Sequence, residues 1–137
     1  MDRPTIVIVE DDVLFAQALT GFVEDLGYRV LAMAGTEEGA VRVVSEHRPD
    51  VVLMDVKLIG GNGVRAASTI RQTSQVPIVF CSSYADDIAI QSAVQLLGRA
   101  VLIGKPFDEG ELAVLLANAV KQGSAANVFA PAGLSCP

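Results

Sequence analysis

Carboxylates, hydroxyls and one lysine stand directly after apolar runs in this chain. Glu10, Asp11 and Asp12 follow Thr5 to Val9, Asp55 follows Val51 to Met54, Ser82 and Ser83 follow Ile78 to Cys81, and Lys105 comes just after Ala100 to Ile103. Carboxylates gathered near one another repel, which raises their proton affinity unless a cation neutralises them. A hard divalent ion is the natural partner. Mg²⁺ suits such a group because it takes oxygen ligands, keeps several waters and is commonly held by one or two carboxylates plus a phosphate oxygen. Lys105 is no metal ligand while protonated, but it pairs with a carboxylate or with a phosphoryl group. Asp55 has the position of a nucleophile toward a phosphoryl donor, which would give an acyl phosphate. The metal and Lys105 would neutralise the equatorial oxygens of the transferring group, and Ser82 offers a hydroxyl able to donate to one of them.

The elements that must position these groups are legible as two alternating periods. Five short apolar runs, Thr5 to Val9, Tyr28 to Met33, Val51 to Met54, Ile78 to Cys81 and Ala100 to Ile103, are mostly continuous. That is how strands covered on both faces of a parallel sheet read. Between the first two, Phe15, Leu19, Phe22 and Leu26 fall at helical spacing, with Gly27 placed for a left-handed stop. The next helix opens at Thr36, carries Ala40, Val43 and Val44, and ends before Pro49, with Arg48 pushed from helical geometry. The last runs from about Asp108 to Gln122 on a stripe of Leu112, Leu115, Leu116 and Ala119. Segments near 64–73 and 85–97 fit less cleanly. The order is (βα) repeated five times, so right-handed crossovers predict a doubly wound α/β domain with helices on both faces of a parallel five-stranded sheet. Ligands in such sheets sit at the carboxyl ends of the strands, where strand order reverses, and those are the ends carrying the polar groups. Residues 1–122 are expected to form the domain, and 123–137, without period or charge pattern, a flexible tail.

Composition narrows the function. The length of 137 residues fits one domain, and 51% hydrophobic against 19% charged residues is enough for a core. A net charge of −6 with no Lys/Arg run gives no electrostatic footprint for direct nucleic-acid binding. No stretch approaches the roughly 18 apolar residues of a membrane span, and Met1 to Pro4 leads into a strand without a signal-peptide pattern. A cytoplasmic location is expected. Cys81 and Cys136 form neither a metal-ligand pair nor a disulfide framework.

The pieces IVIVEDD, VVLMD with Gly63 eight residues after Asp55, PIVFCSSY and GKPF, in this order, resemble the receiver domains of two-component response regulators over about Thr5 to Gln122. The resemblance implies a flavodoxin-like fold with strand order 2-1-3-4-5. It makes Asp55 the phosphoacceptor, Asp11 a direct Mg²⁺ ligand and Glu10 a partner acting largely through metal-bound water. It also assigns a metal contact to the backbone carbonyl of Lys57. Ser82 becomes the switch hydroxyl, Lys105 the phosphoryl-binding lysine, and Lys105-Pro106 a cis peptide. Side chains at Lys57 and Tyr84 take the positions that flank the attacking water during hydrolysis. The implied partners are a histidine kinase or phosphotransfer protein as donor and a downstream protein on the face of the fourth helix, fifth strand and fifth helix. Such a domain promotes its own phosphorylation and dephosphorylation without being a conventional turnover enzyme.

Two departures bear on readout. Leu102 stands where relatives carry an aromatic switch residue, and Ile59 where many have proline; Gly60, Gly61 and Gly63 should leave the loop after Asp55 mobile before metal or phosphate orders it. Asp12 reads as a helix cap and Ser83 as an ordinary strand-end residue. His47 receives no phosphotransfer role, and Asp86, Asp87, Asp108, Glu109 and Glu111 read as helix-start acids. Two other functions compete: a phosphorylation-independent receiver-like binding module, and a phosphatase using Asp55. The second needs an acid two residues after its nucleophile, where this chain has Lys57.

Overall fold

The computed structural model describes residues 3–129, with side chains to residue 122. Its five main strands are β1 (Thr5–Val9), β2 (Arg29–Ala34), β3 (Val51–Asp55), β6 (Ile78–Ser82) and β7 (Ala100–Gly104), all parallel in the order β2-β1-β3-β6-β7. Counting only these strands, this is the expected 2-1-3-4-5. The additional labels belong to a two-stranded ribbon, β4 (Lys57–Leu58) and β5 (Gly61–Asn62), in the loop after Asp55.

Strand side chains alternate between faces, and each face has its own helices. Val7, Val9, Val52, Met54, Ile78 and Phe80 join α2 (Glu37–His47), α3 (Gly63–Arg71) and α4 (Ile88–Leu97) in one buried cluster. Ile6, Ile8, Val51, Leu53, Val79 and Cys81 join α1 (Val13–Asp25) and α5 (Glu109–Phe129) in the other. Continuous apolar runs are thus what a doubly covered sheet requires.

Local chemistry sets the helix ends. Asp12, Thr36, Asn62 and Asp87 cap α1, α2, α3 and α4, each accepting from backbone N–H groups of the first turn. Gly27 takes φ +100° after α1, and Arg48 leaves α2 in the left-handed region at φ 48°.

One expectation is corrected and two details are added. Leu26 is exposed, and the buried stripe of α1 is Ala16, Leu19 and Val23, with Phe15 and Phe22 half-covered. Helix α5 runs to Phe129, past its expected end near Gln122. A single Gly123 costs only about 1 kcal/mol in a helix, and the first strong breaker beyond it is Pro131. The remaining tail, with Cys136, lies outside the described residues. The glycine-rich loop after Asp55 contains the β4–β5 ribbon. Leu58 is buried there, Gly60 turns at φ +74°, and Ile59 bridges to Thr36. No described helix is long and apolar enough to cross a membrane.

Candidate functional site

The carboxyl ends of β1, β3, β6 and β7 meet above the point where strand order reverses between β1 and β3. The Glu10 N–H donates to the Ala34 carbonyl (2.9 Å), which extends the β1–β2 ladder one residue and fixes where the acidic turn begins. Glu10 is buried, and its Oε2 accepts from the Asp12 N–H at 3.0 Å. Asp12 itself turns to α1, its Oδ1 accepting from Leu14 and Phe15 N–H at 3.0 and 3.1 Å. It is a cap, as its sequence position indicates.

Asp55 closes β3 and is buried. Its Oδ1 accepts from the Lys57 N–H (3.1 Å) and its Oδ2 from the Lys105 ammonium (2.8 Å). The same ammonium donates to Glu10 Oε1 at 3.2 Å. Glu10, Asp11 and Asp55 each offer a carboxylate oxygen within 4.8 Å of the others, the one such cluster among the described residues. A single ammonium therefore faces three carboxylates. The donor set, all hard oxygen with excess negative charge, fits a divalent cation such as Mg²⁺.

The backbone makes room for this. A Cβ on Gly63 would collide with the Asp55 carbonyl, so the loop returns close under β3 only because residue 63 is glycine. The Gly63 N–H donates to the Val56 carbonyl at 2.6 Å and closes that loop. On the other side, the Lys105 N–H donates to the Ser82 carbonyl (2.9 Å), joining the ends of β6 and β7, and Lys105-Pro106 is cis, as expected. The Lys105 ammonium also lies 4.8 Å from the centroid of the Phe15 ring, a further hold on its position.

Burial pushes the Glu10 carboxyl up to about 7, held back by the Asp12 N–H and raised again by the charge of Asp55, while Lys105 lowers it. For Lys105, burial alone would favour the neutral amine, but the hydrogen bond and charge of Asp55, then those of Glu10, outweigh it and raise its pKa. The ammonium is thus kept charged beside its carboxylates. Cys81, one residue before Ser82, has its thiol pushed up to about 12 by burial, the character of an inert core cysteine.

Asp11, Asp55, Lys57, Ser82, Tyr84 and Lys105 line a cleft of about 290 Å³. Ser82 is buried, its Oγ accepting from the Tyr84 N–H at 2.9 Å, while the Tyr84 ring is exposed. Leu102 lies outside the cleft, half-buried against the α2–α4 cluster. Ser83 and His47 are exposed. Sequence reasoning missed Glu37 and Arg65, which brace the loop after Asp55. Glu37 follows a capping threonine and therefore reads as an ordinary helix-start acid.

The family comparison agrees with this architecture. Residues 6–117 match the model of the response regulator receiver domain, and the chain belongs to that family. It is 32% identical over 117 residues to the phyllosphere-induced regulator PhyR of Methylorubrum extorquens, covering 84% of this chain and 43% of that protein. It is also 32% identical over 107 residues to the transcriptional regulatory protein PdtaR of Mycobacterium tuberculosis, covering 78% of this chain and 52% of that protein. The chain thus spans about half the length of these relatives. Among solved structures, the receiver domain of PhyR from Erythrobacter litoralis superposes with TM-score 0.76 at 26% identity, covering 88% of this chain and 92% of that one. The chain is a receiver domain of two-component signalling, a class of regulatory module rather than a typical enzyme.

Proposed function

We propose that this receiver takes a phosphoryl group onto Asp55 from a histidine kinase or phosphotransfer protein and, so modified, changes its affinity for a partner protein. The observation that carries the reading is the Asp55 carboxylate, held at 2.8 Å by Lys105 within the ligand sphere shared with Glu10 and Asp11.

An Asp55 oxygen attacks phosphorus, the bond from phosphorus to the donor's imidazole nitrogen breaks, and the nitrogen keeps the electron pair. Asp11, Asp55 and Glu10, with the Lys57 carbonyl, would hold Mg²⁺, which would supply charge neutralisation at the phosphoryl oxygens. Lys105 exchanges its carboxylate contact for a phosphoryl oxygen. The Ser82 hydroxyl donates to another, which draws it from the Tyr84 N–H it now receives and loosens the loop leading into α4. Lys57 and Tyr84, on the cleft rim, tune hydrolysis of the acyl phosphate.

The output surface is the α4–β7–α5 face, where Ile88, Leu96, Val101 and Val114 stand exposed. Of α4, only Val94 is buried, although its sequence IAIQSAVQLL is almost wholly apolar. The setting proposed is the cytoplasm, where kinases present phosphohistidine. Pull-down with and without beryllofluoride tests the switch: the reading expects partner capture to change with the adduct. Equal capture in both states would instead favour the phosphorylation-independent module, a reading that draws on Leu102 already lying packed against the core.

A further inference from the structure

The loop that follows the phosphoacceptor is held from outside by α2. Glu37, the first residue of that helix, extends its carboxylate to the ribbon: Oε1 accepts from the Asn62 N–H at 3.2 Å, and both oxygens accept from Arg65 Nε at 3.0 Å. Arg65 Nη2 adds a contact to Oε1 at 3.0 Å. A Cβ on Gly61 would run into the Glu37 side chain, so the glycine provides the surface on which the carboxylate lies. Arg65 holds the Glu37 carboxyl below the usual carboxylate range, chiefly through this hydrogen bond, so it stays ionised.

The same helix start also touches the acidic turn. Gly35 sits against the backbone of Glu10 and Asp11, and Thr36 bridges to Ile59. The segment 35–37 is therefore a strut between the two loops that carry the carboxylate cluster and Lys57.

Register makes the contact consequential. Lys57 lies opposite Asn62 in the antiparallel ribbon. In such a ladder, opposed pairs alternate between exchanging both hydrogen bonds and exchanging neither. Asn62 gives its N–H to Glu37, the behaviour of the second kind of pair, in which the facing carbonyl of Lys57 is not consumed by Asn62. We infer that Glu37 is a positioning residue for the metal site: by taking the Asn62 N–H, it fixes the ribbon with the Lys57 carbonyl free for a divalent cation. This rests on the metal reading above.

The test is calorimetric titration with Mg²⁺ of the unmodified protein, Glu37→Ala, Glu37→Gln and Arg65→Ala, with urea denaturation of each in EDTA. Glu37→Ala is expected to weaken Mg²⁺ about ten-fold, the scale of losses from groups that orient ligands without touching the metal. Glu37→Gln keeps an acceptor for Asn62 and is expected to retain affinity within about two-fold. Arg65→Ala, which removes the ion pair alone, is expected to do the same. A merely structural ion pair predicts the opposite pattern, with the urea midpoint moving alike in Glu37→Ala and Arg65→Ala while affinity holds. Unchanged affinity in Glu37→Ala, or equal loss in Glu37→Gln, overturns the role of Glu37 and leaves the metal site standing. Absence of Mg²⁺ binding in the unmodified protein overturns both.

Discussion

Each end of the sheet holds a half-buried cation, and the two use it in opposite ways. At the carboxyl end, Lys105 is shared between Asp55 and Glu10 at 2.8 and 3.2 Å, with Asp11 close by, so one ammonium faces three carboxyl groups. At the amino end, Arg71 meets no carboxylate among the described residues. Its guanidinium donates to the carbonyls of Ser74, Val76, Leu97, Gly98 and Arg99, tying the loop before β6 to the turn before β7. In that turn, Gly98 and Arg99 both hold positive φ. Burial lowers Arg71 to about 10, helped by the charge of Arg99, yet it remains a cation at neutral pH. Dipoles arranged around a charge make a static joint. Charges in excess of their counterion make a site that gains by taking up something more.

Removing either cluster should therefore have separable effects. Arg71→Ala leaves several carbonyls short of a donor and is expected to cost about 3 kcal/mol of stability in urea denaturation, while Mg²⁺ affinity by calorimetry stays within about two-fold. Asp11→Asn inverts the pattern: affinity falls by about 100-fold or more, and the urea midpoint in EDTA holds or rises because repulsion in the cluster is relieved. If Arg71→Ala weakened Mg²⁺ as much as Asp11→Asn does, the contrast would be lost.

The acidity of Glu10 offers a finer probe. Its pKa in the folded chain, about 7, lies above the ordinary 4.5, so folding takes up a proton between those values. In the metal-free protein, this contribution to stability is fully present below about pH 4.5 and is lost as pH rises through about 7. A divalent cation competes with that proton, so Mg²⁺ affinity is expected to climb from pH 6 to pH 8 by up to about ten-fold. Glu10→Gln should flatten the profile, as titration at several pH values will show. The smallest effect belongs to Asp12, the acid beside the cluster that serves α1. Asp12→Ala is expected to cost about 1 kcal/mol, the usual worth of a helix cap, with affinity for Mg²⁺ preserved.

Legibility in the sequence follows the same division. The five strands lie within about a residue of the apolar runs, because a doubly covered strand has to be apolar throughout. Glu10, Asp55, Ser82 and Lys105 were visible because they break those runs at the ends where such sheets bind ligands. Contacts that depend on tertiary approach were not visible. Arg71 finds its carbonyls up to 28 residues away, and nothing in a helix-terminal arginine announces carbonyl partners. The glycines after Asp55 suggested a mobile rim, whereas Gly61 serves as a seat for Glu37 and Gly63 lets the chain pass the Asp55 carbonyl. Glycine marks close approach as readily as freedom, and only the fold distinguishes them. The end of α5 was misplaced because the segment from Gly123 shows no apolar period or charge pattern of its own.

The central claim is that the overcharged end of the sheet takes a phosphoryl group on Asp55. Incubation with acetyl phosphate and Mg²⁺, followed by intact-mass and peptide mass spectrometry under mildly acidic conditions, tests it most directly. The account predicts the addition of one phosphoryl group, located to Asp55, absent with EDTA and absent in Asp55→Asn. An unmodified protein, or the same addition in Asp55→Asn, would contradict it.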